Sequence, residues 1–335
     1  MSIVMTGGGT GGHLAIIKAV KEYLKDEQLV YIGSTKGQDK QWFGEDEDFS
    51  AHYFLKTRGV VNQGIFGKMI SLGMLIIATC KALYYLRKHD ATVVFSVGGF
   101  SAAATAIAAK ILRIPLVIHE QNAALGSLNR LLKPYAKAFI SSYLEESPIK
   151  AYPIKQQFFD NAHLRKRVET IIFLGGSQGA RAINTLALQI APELQKRGIK
   201  IIHQAGEKNI DAVKKGYENL GIEAEVFGFT DQLAWYMEQA DFAIARSGAS
   251  TLWELCACAV PTLFIPYPYA AGDHQYYNAK FLVEKNLAWI MREDEIIPSK
   301  VLALLEEDLE AKSRWLMEMV EKDGSQKIAR LLKSF

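Results

Sequence analysis

The 335-residue chain is 49% hydrophobic and 22% charged, with a formal net charge of +3. That balance belongs to a globular protein long enough for two domains, and the charge is too small to imply nucleic-acid binding. Three cysteines, Cys80, Cys256 and Cys258, argue against a disulfide framework. Cys256 and Cys258 read as small residues packed in an apolar helix rather than as metal ligands. Met1–Met5 lacks the basic start and apolar run of a secretory signal. The longest uncharged apolar run, Met69–Cys80, falls short of the roughly 20 residues that cross a bilayer, so no spanning segment is expected.

In chain order, short apolar runs read as strands: Ile3–Met5, Leu29–Ile32, Thr92–Ser96, Leu116–His119 and Lys137–Ser141. Helical periods lie between them at Leu14–Leu24, Met69–Arg87, Ala102–Leu112 and Leu125–Leu132. The alternation pauses over residues 145–168, a polar stretch with Pro148 and Pro153, which predicts a domain boundary. It restarts with strand Thr170–Leu174, helix Ala182–Lys196 and strands Lys200–His203, Glu225–Phe227, Phe242–Ala245 and Thr262–Ile265. A long amphipathic helix is predicted over Glu306–Leu332. Strands alternating with helices imply parallel sheets covered on both faces.

Glycine-rich turns stand where strands pass into helices. Thr6–His13 contains G-x-G-x-x-G as Gly7, Gly9 and Gly12, a loop whose backbone can approach an anion at a helix N-terminus. A dinucleotide site also wants an acidic residue about 20 positions on. The second strand ends Tyr31-Ile32-Gly33-Ser34 instead, which weakens that reading. Gly175–Ala180 occupies the matching place in the second half and lacks the Lys-Ser/Thr ending of a P-loop. Val97–Ala103, His119–Asn122, Ala245–Glu254 and Pro266–Ala279 add hydroxyls, amides and carboxylates at further strand ends.

These stretches (Thr6–His13, Gly98–Ser101, His119–Asn122, Gly175–Ala180, Arg246–Glu254 and Asp273–Ala279) come in the order of the MurG family of peptidoglycan glycosyltransferases, and the chain resembles that family over nearly its whole length. The resemblance implies an α/β, GT-B fold with two Rossmann-like parallel-sheet domains facing a cleft. Residues 1–155 would take the acceptor and the membrane, residues 156–318 would bind UDP-GlcNAc, and residues 319–335 would return as a helix to the first domain. It implies inverting, metal-independent transfer of GlcNAc from UDP-GlcNAc to the 4-hydroxyl of undecaprenyl-pyrophosphoryl-MurNAc-pentapeptide (lipid I), with no cofactor.

By matching position, the resemblance assigns UDP-GlcNAc contacts to Thr10, Gly11, Gly12, Asn122, Lys155, Ser177, Thr230, Ala249, Ser250, Thr251, Leu252, Trp253, Glu254, Gln275 and Asn278. His13 is the candidate base, since imidazole titrates near neutral pH. The chain departs from the family pattern at three sites: Ile16-Ile17 replaces Pro-Gly, Lys155 replaces the arginine of Asn-Pro-x-Arg, and Phe100 replaces a frequent tyrosine.

A membrane-bound acceptor calls for a docking surface, and residues 64–89 suit one. Ile65, Phe66, Met69, Leu72 and Leu75 lie among Lys68, Lys81, Arg87 and Lys88, an apolar patch with a basic rim fit for anionic headgroups. The expected place is the cytoplasmic face of the bacterial inner membrane, held peripherally, with other cell-wall synthesis proteins as candidate partners. The readings left beside it are a lipid galactosyltransferase, a UDP-GlcNAc 2-epimerase, and a non-catalytic UDP-sugar-binding scaffold.

Overall fold

The computed structural model describes residues 1–59, 64–160, 162–176 and 179–335; the side chains of Ile65, Phe66 and Lys68, expected membrane contacts, lie outside that description. The chain divides into two compact units, Met1–Ile154 with Asp323–Phe335, and Lys155–Lys322.

The first unit is built on β1 (Ser2–Thr6), β2 (Leu29–Ser34), β3 (Ala51–Leu55), β4 (Ala91–Ser96), β5 (Leu116–His119) and β6 (Ala138–Ile140). They form one sheet in the order β3-β2-β1-β4-β5-β6, and every pairing is parallel. β1 is buried along its whole length, as a central strand covered on both faces must be. Its Val4 sits opposite Val30 and Val94. Ala104, Ala106, Ala108 and Ala109 of the helix Gly99–Leu112 share one core with Ala78, Ala82 and Leu86 of the helix Ile65–Lys88. Small alanines let these helices pack closely on the sheet.

The second unit repeats the plan with β7 (Thr170–Leu174), β8 (Lys200–Gln204), β9 (Glu225–Phe227), β10 (Phe242–Ala245), β11 (Thr262–Phe264) and β12 (Trp289–Ile290). The order is β12-β11-β10-β7-β8-β9, so counted within each unit both sheets run 3-2-1-4-5-6. In this topology the chain reverses direction across the sheet between the first and fourth strands, and ligands bind at the carboxyl ends beside that point. The loops after β1 and β4, and after β7 and β10, are the glycine turns singled out above.

Two expectations need correction. The single helix predicted over Glu306–Leu332 is two helices, Glu310–Met319 and Gly324–Lys333. A Cβ on Gly324 would stand 2.6 Å from the Tyr152 carbonyl oxygen and 2.9 Å from that of Ala151. The second helix therefore starts where its backbone presses on another segment of the first unit, a demand that amphipathic spacing does not encode. β3 was not predicted, because His52 and Tyr53 interrupt its apolar pattern.

The helix Ile65–Lys88 is 24 residues long. Its part from Met69 to Lys88 has a mean hydropathy of 1.7 and is long and apolar enough to cross a membrane by length and composition. Counting only uncharged runs missed it, because Lys81 interrupts the stretch. One face of this helix supplies core residues, while Met69, Ile70, Leu72, Ile76 and Ile77 are exposed and Leu75 packs partly against the core.

Candidate functional site

In the first unit, β1 delivers the chain into three glycines with positive φ, 128° at Gly7 and 84° at Gly9 among them, and the helix Gly11–Lys21 follows. L-residues rarely adopt such angles. Thr10 precedes the helix in extended conformation without capping it through its side chain. Its hydroxyl instead pairs with His13 Nδ1 at 2.9 Å. Gln121 Nε2 lies 3.0 Å from His13 Nε2. An amide nitrogen only donates, so the tautomer that satisfies both partners carries its proton on Nδ1, donated to Thr10. Nε2 is then the basic atom, its lone pair accepting from Gln121 in this structure, and a Cβ on Gly99 would be 3.7 Å from it.

β5 ends in His119, which is fully buried. Burial, and then the nearby His13, pushes its pKa down to about 3, so the ring is neutral. It meets Tyr152 edge-on, with centroids 5.5 Å apart. Glu120 ties down the loop that follows, accepting from the Asn122 amide at 3.0 Å, the Gly126 amide at 2.9 Å and Asn129 Nδ2 at 2.9 Å. Thr10, Gly11, Gly12, His13 and Asn122 thus belong to one strand-end cluster in the first unit.

In the second unit Gly176 and Gly179 take positive φ after β7; Ser177, between them, lies outside the described residues. β10 leads to the helix Ala249–Ala257 with Gly248 before it. The Leu252 amide donates to the Gly248 carbonyl at 2.9 Å, the first bond within the helix. The amides of Ala249, Ser250 and Thr251 therefore lie in the first turn, the part of a helix suited to face an anion. Leu252 and Trp253 are buried and line its inner side.

Glu254 is half-buried on the same helix. Burial raises its carboxyl to about 7, and the Lys155 ammonium pulls it down. Gln275 Oε1 accepts from the Tyr267 amide at 2.9 Å, which leaves Nε2 as the end of that side chain able to donate to a ligand. Asn278 is fully buried, and its Nδ2 donates to the Ser247 carbonyl at 3.1 Å. Thr230 Oγ1 accepts from the Gln232 amide at 3.0 Å, which shapes the turn after β9. The turn after β11 is braced by Arg246, which donates to the Ile265 and Pro266 carbonyls at 3.0 and 3.1 Å and pairs with Glu293.

Three contributors escaped sequence reasoning: Asp39, whose carboxylate accepts from the Gly9 amide, Gln121 as the partner of His13, and Arg246 as a brace. The sequence reading takes an Asp-x-Asp metal motif to be absent, yet that spacing occurs at Asp46 and Asp48. Both carboxylates hold Lys21 Nζ at 2.6 Å, so that motif is a structural clamp. Cys256 and Cys258 are buried, and burial raises the Cys258 thiol to about 12, consistent with packing.

Paired 3-2-1-4-5-6 sheets with glycine turns at both switch points are the GT-B architecture, and the family matches make the chain a glycosyltransferase of that class. The glycosyltransferase family 28 N-terminal domain matches residues 3–141, and the family 28 C-terminal domain matches residues 170–334. The chain is 75% identical over 335 residues to the UDP-N-acetylglucosamine–N-acetylmuramyl-(pentapeptide) pyrophosphoryl-undecaprenol N-acetylglucosamine transferase of Sulfurovum sp. (strain NBC37-1), covering 100% of this chain and 99% of the relative. It is 52% identical to the protein of the same name in Sulfurimonas denitrificans, covering 98% and 97%. The crystal structure of Acinetobacter baumannii MurG superposes with a TM-score of 0.81 at 25% identity, covering 100% of this chain and 99% of that one. The chain belongs to glycosyltransferase family 28 and, within it, to the MurG family.

Proposed function

We propose that this protein transfers GlcNAc from UDP-GlcNAc to the 4-hydroxyl of the N-acetylmuramyl residue of a pentapeptide-bearing, pyrophosphoryl-undecaprenol acceptor. The observation that carries the reading is His13, whose Nδ1 is engaged by Thr10 so that Nε2 is the basic atom, at the N-terminus of a helix opened by three glycines.

In this reading the acceptor hydroxyl displaces Gln121 from His13 Nε2, which removes the hydroxyl proton as that oxygen attacks the anomeric carbon. UDP leaves from the opposite face with the bonding pair, and the configuration inverts. Negative charge developing on the departing diphosphate is met by the amides of Ala249, Ser250 and Thr251 and by the Ser250 and Thr251 hydroxyls. Glu254 accepts the ribose hydroxyls, Gln275 donates to the sugar, and Thr230 flanks the base. Lys155, whose charge is felt by Glu254, contributes a point charge without the fork of an arginine.

The exposed apolar row of Met69, Ile70, Leu72, Ile76 and Ile77 supports peripheral docking on an anionic membrane, and in this reading the surface is the cytoplasmic face of the inner membrane. Incubation of radiolabelled UDP-GlcNAc with the lipid-linked acceptor tests the reaction. Label should move to the lipid. Consumption of UDP-GlcNAc without acceptor would favour an epimerase, and binding without turnover a scaffold. His13→Ala should lower kcat by about 10²-fold or more while leaving the UDP-GlcNAc Kd unchanged.

A further inference from the structure

We propose that Asp39 is the positioning residue of the glycine loop that carries His13, acting as an internal anion in place of a bound phosphate. The inference rests on the functional reading of that loop given above. Asp39 is fully buried, and its partners are four neutral donors drawn from three segments. Oδ2 accepts from the Gly9 amide at 2.7 Å. Oδ1 accepts from the Ser34 amide at 3.0 Å, from the Tyr31 hydroxyl at 3.0 Å and from the Ser101 hydroxyl. The single Tyr31 hydroxyl proton is shared between Asp39 Oδ1 and the Gly7 carbonyl, 2.8 Å away, and a Cβ on Gly8 would stand 2.6 Å from Asp39 Oδ1.

The carboxylate therefore ties together the loop after β1, the end of β2 and the first turn of the helix Gly99–Leu112. In a dinucleotide-binding fold the acid beyond the second strand meets a ribose, and the loop amides meet phosphate. Here the acid lies five positions past the end of β2 and turns inward onto the loop itself. The Gly9 amide is thereby committed to the protein. A buried carboxylate is costly unless its lone pairs are satisfied by good donors. This one is saturated, and each donor it holds fixes a segment next to Thr10 and His13. Tyr31, driven upward by burial and then by the Asp39 charge, remains a phenol and a donor. Misplacing a base by about an ångström costs up to roughly a hundredfold in rate, which gives such a clamp its consequence.

The test compares wild type, Asp39→Asn, Asp39→Glu, Ser101→Ala and Tyr31→Phe. Each is followed by kcat and KM for donor and acceptor, by UDP-GlcNAc Kd from calorimetry, by melting temperature, and by hydrogen exchange of the Gly9 amide from NMR. Asp39→Asn should lower kcat about tenfold to a hundredfold, with donor KM and Kd within about twofold and Gly9 protection lost. Asp39→Glu should recover Gly9 protection and part of kcat. Ser101→Ala and Tyr31→Phe should each lower kcat by a smaller factor, and they carry the test if Asp39→Asn fails to fold. Wild-type kcat in Asp39→Asn, or in both donor variants, overturns the proposal. So does a kcat loss that tracks the melting temperature and is not relieved by Asp39→Glu. If wild type transfers no sugar, the functional reading fails. The positioning role is then judged by Gly9 exchange alone, which must be protected in wild type and lost in Asp39→Asn.

Discussion

Glu254 carries a charge that depends on pH within the physiological range. Its carboxyl titrates near 7 because burial disfavours the anion. Accepting both hydroxyls of a ribose requires that anion, so UDP-GlcNAc affinity should fall as pH drops below about 7. UDP-GlcNAc is the ligand to use, because its diphosphate diester does not titrate there. Calorimetric titration from pH 8 to pH 6 should show this limb in wild type and a flat, weaker profile in Glu254→Gln. The effect on stability has its own sign. A carboxyl raised from 4.5 to about 7 on folding stabilises the folded state below 4.5, and that contribution is lost as pH rises between the two values. His119 and His203 act in the opposite sense, each lowered from 6.5 to about 3 chiefly by burial. The unfolded chain takes up protons there that the folded chain refuses, so stability is lost as pH falls from 6.5 toward 3. His203 bridges Tyr217 at 2.9 Å and Asn184 at 3.0 Å. Melting temperature should therefore decline from pH 6.5 to pH 4.5, and less steeply in His203→Gln.

The helix Ile65–Lys88 serves two environments along its length. Ala78, Ala82 and Leu86 belong to the core, while Met69 and Ile77 remain 66% and 62% exposed. Replacing Met69 and Leu72 together by Gln should weaken binding to anionic vesicles about tenfold or more, since each inserted side chain contributes roughly 1.5–3 kcal/mol. The melting temperature should hardly move. Ala82→Leu should do the reverse, overpacking the core at a cost of about 1–3 kcal/mol. Cosedimentation and thermal melts separate the two. At this scale the sequence was legible where structure is local. β1, its glycine turn and the helix after it follow from apolar run, Gly7–Gly12 and period. The break before Gly324 was not legible, because it answers to the Tyr152 carbonyl far away in the chain. Asp39 was hidden for the same reason: it stands in a polar stretch, and only the fold brings Gly9, Ser34 and Ser101 to it. Glu254 and Gln275 were singled out through family spacing, whereas the bond from the Tyr267 amide to Gln275 required coordinates.

Across the whole molecule, each unit owns a separate core, one around Val4, Val94 and Ala104 and one around Ile171, Phe173 and Ile244. Of the five tryptophans, Trp42 lies in the first unit and Trp235, Trp253, Trp289 and Trp315 lie in the second. Tryptophan fluorescence consequently reports mostly on the second unit. Saturating UDP-GlcNAc should raise the midpoint seen by fluorescence, with a stabilisation of about 2.7 kcal/mol at a hundred times Kd. An unshifted fluorescence midpoint would count against donor binding in that unit. The helix Gly324–Lys333 belongs to the first unit, burying Ile328, Ala329 and Leu332 and linking Lys333 to Glu27 at 3.7 Å. During synthesis the ribosome releases the second unit's entire sequence before it releases this helix. Domains ordinarily mature in the order they emerge. Here the first-made half must wait, its last packing surface uncovered, until the later-made half has already left the exit tunnel.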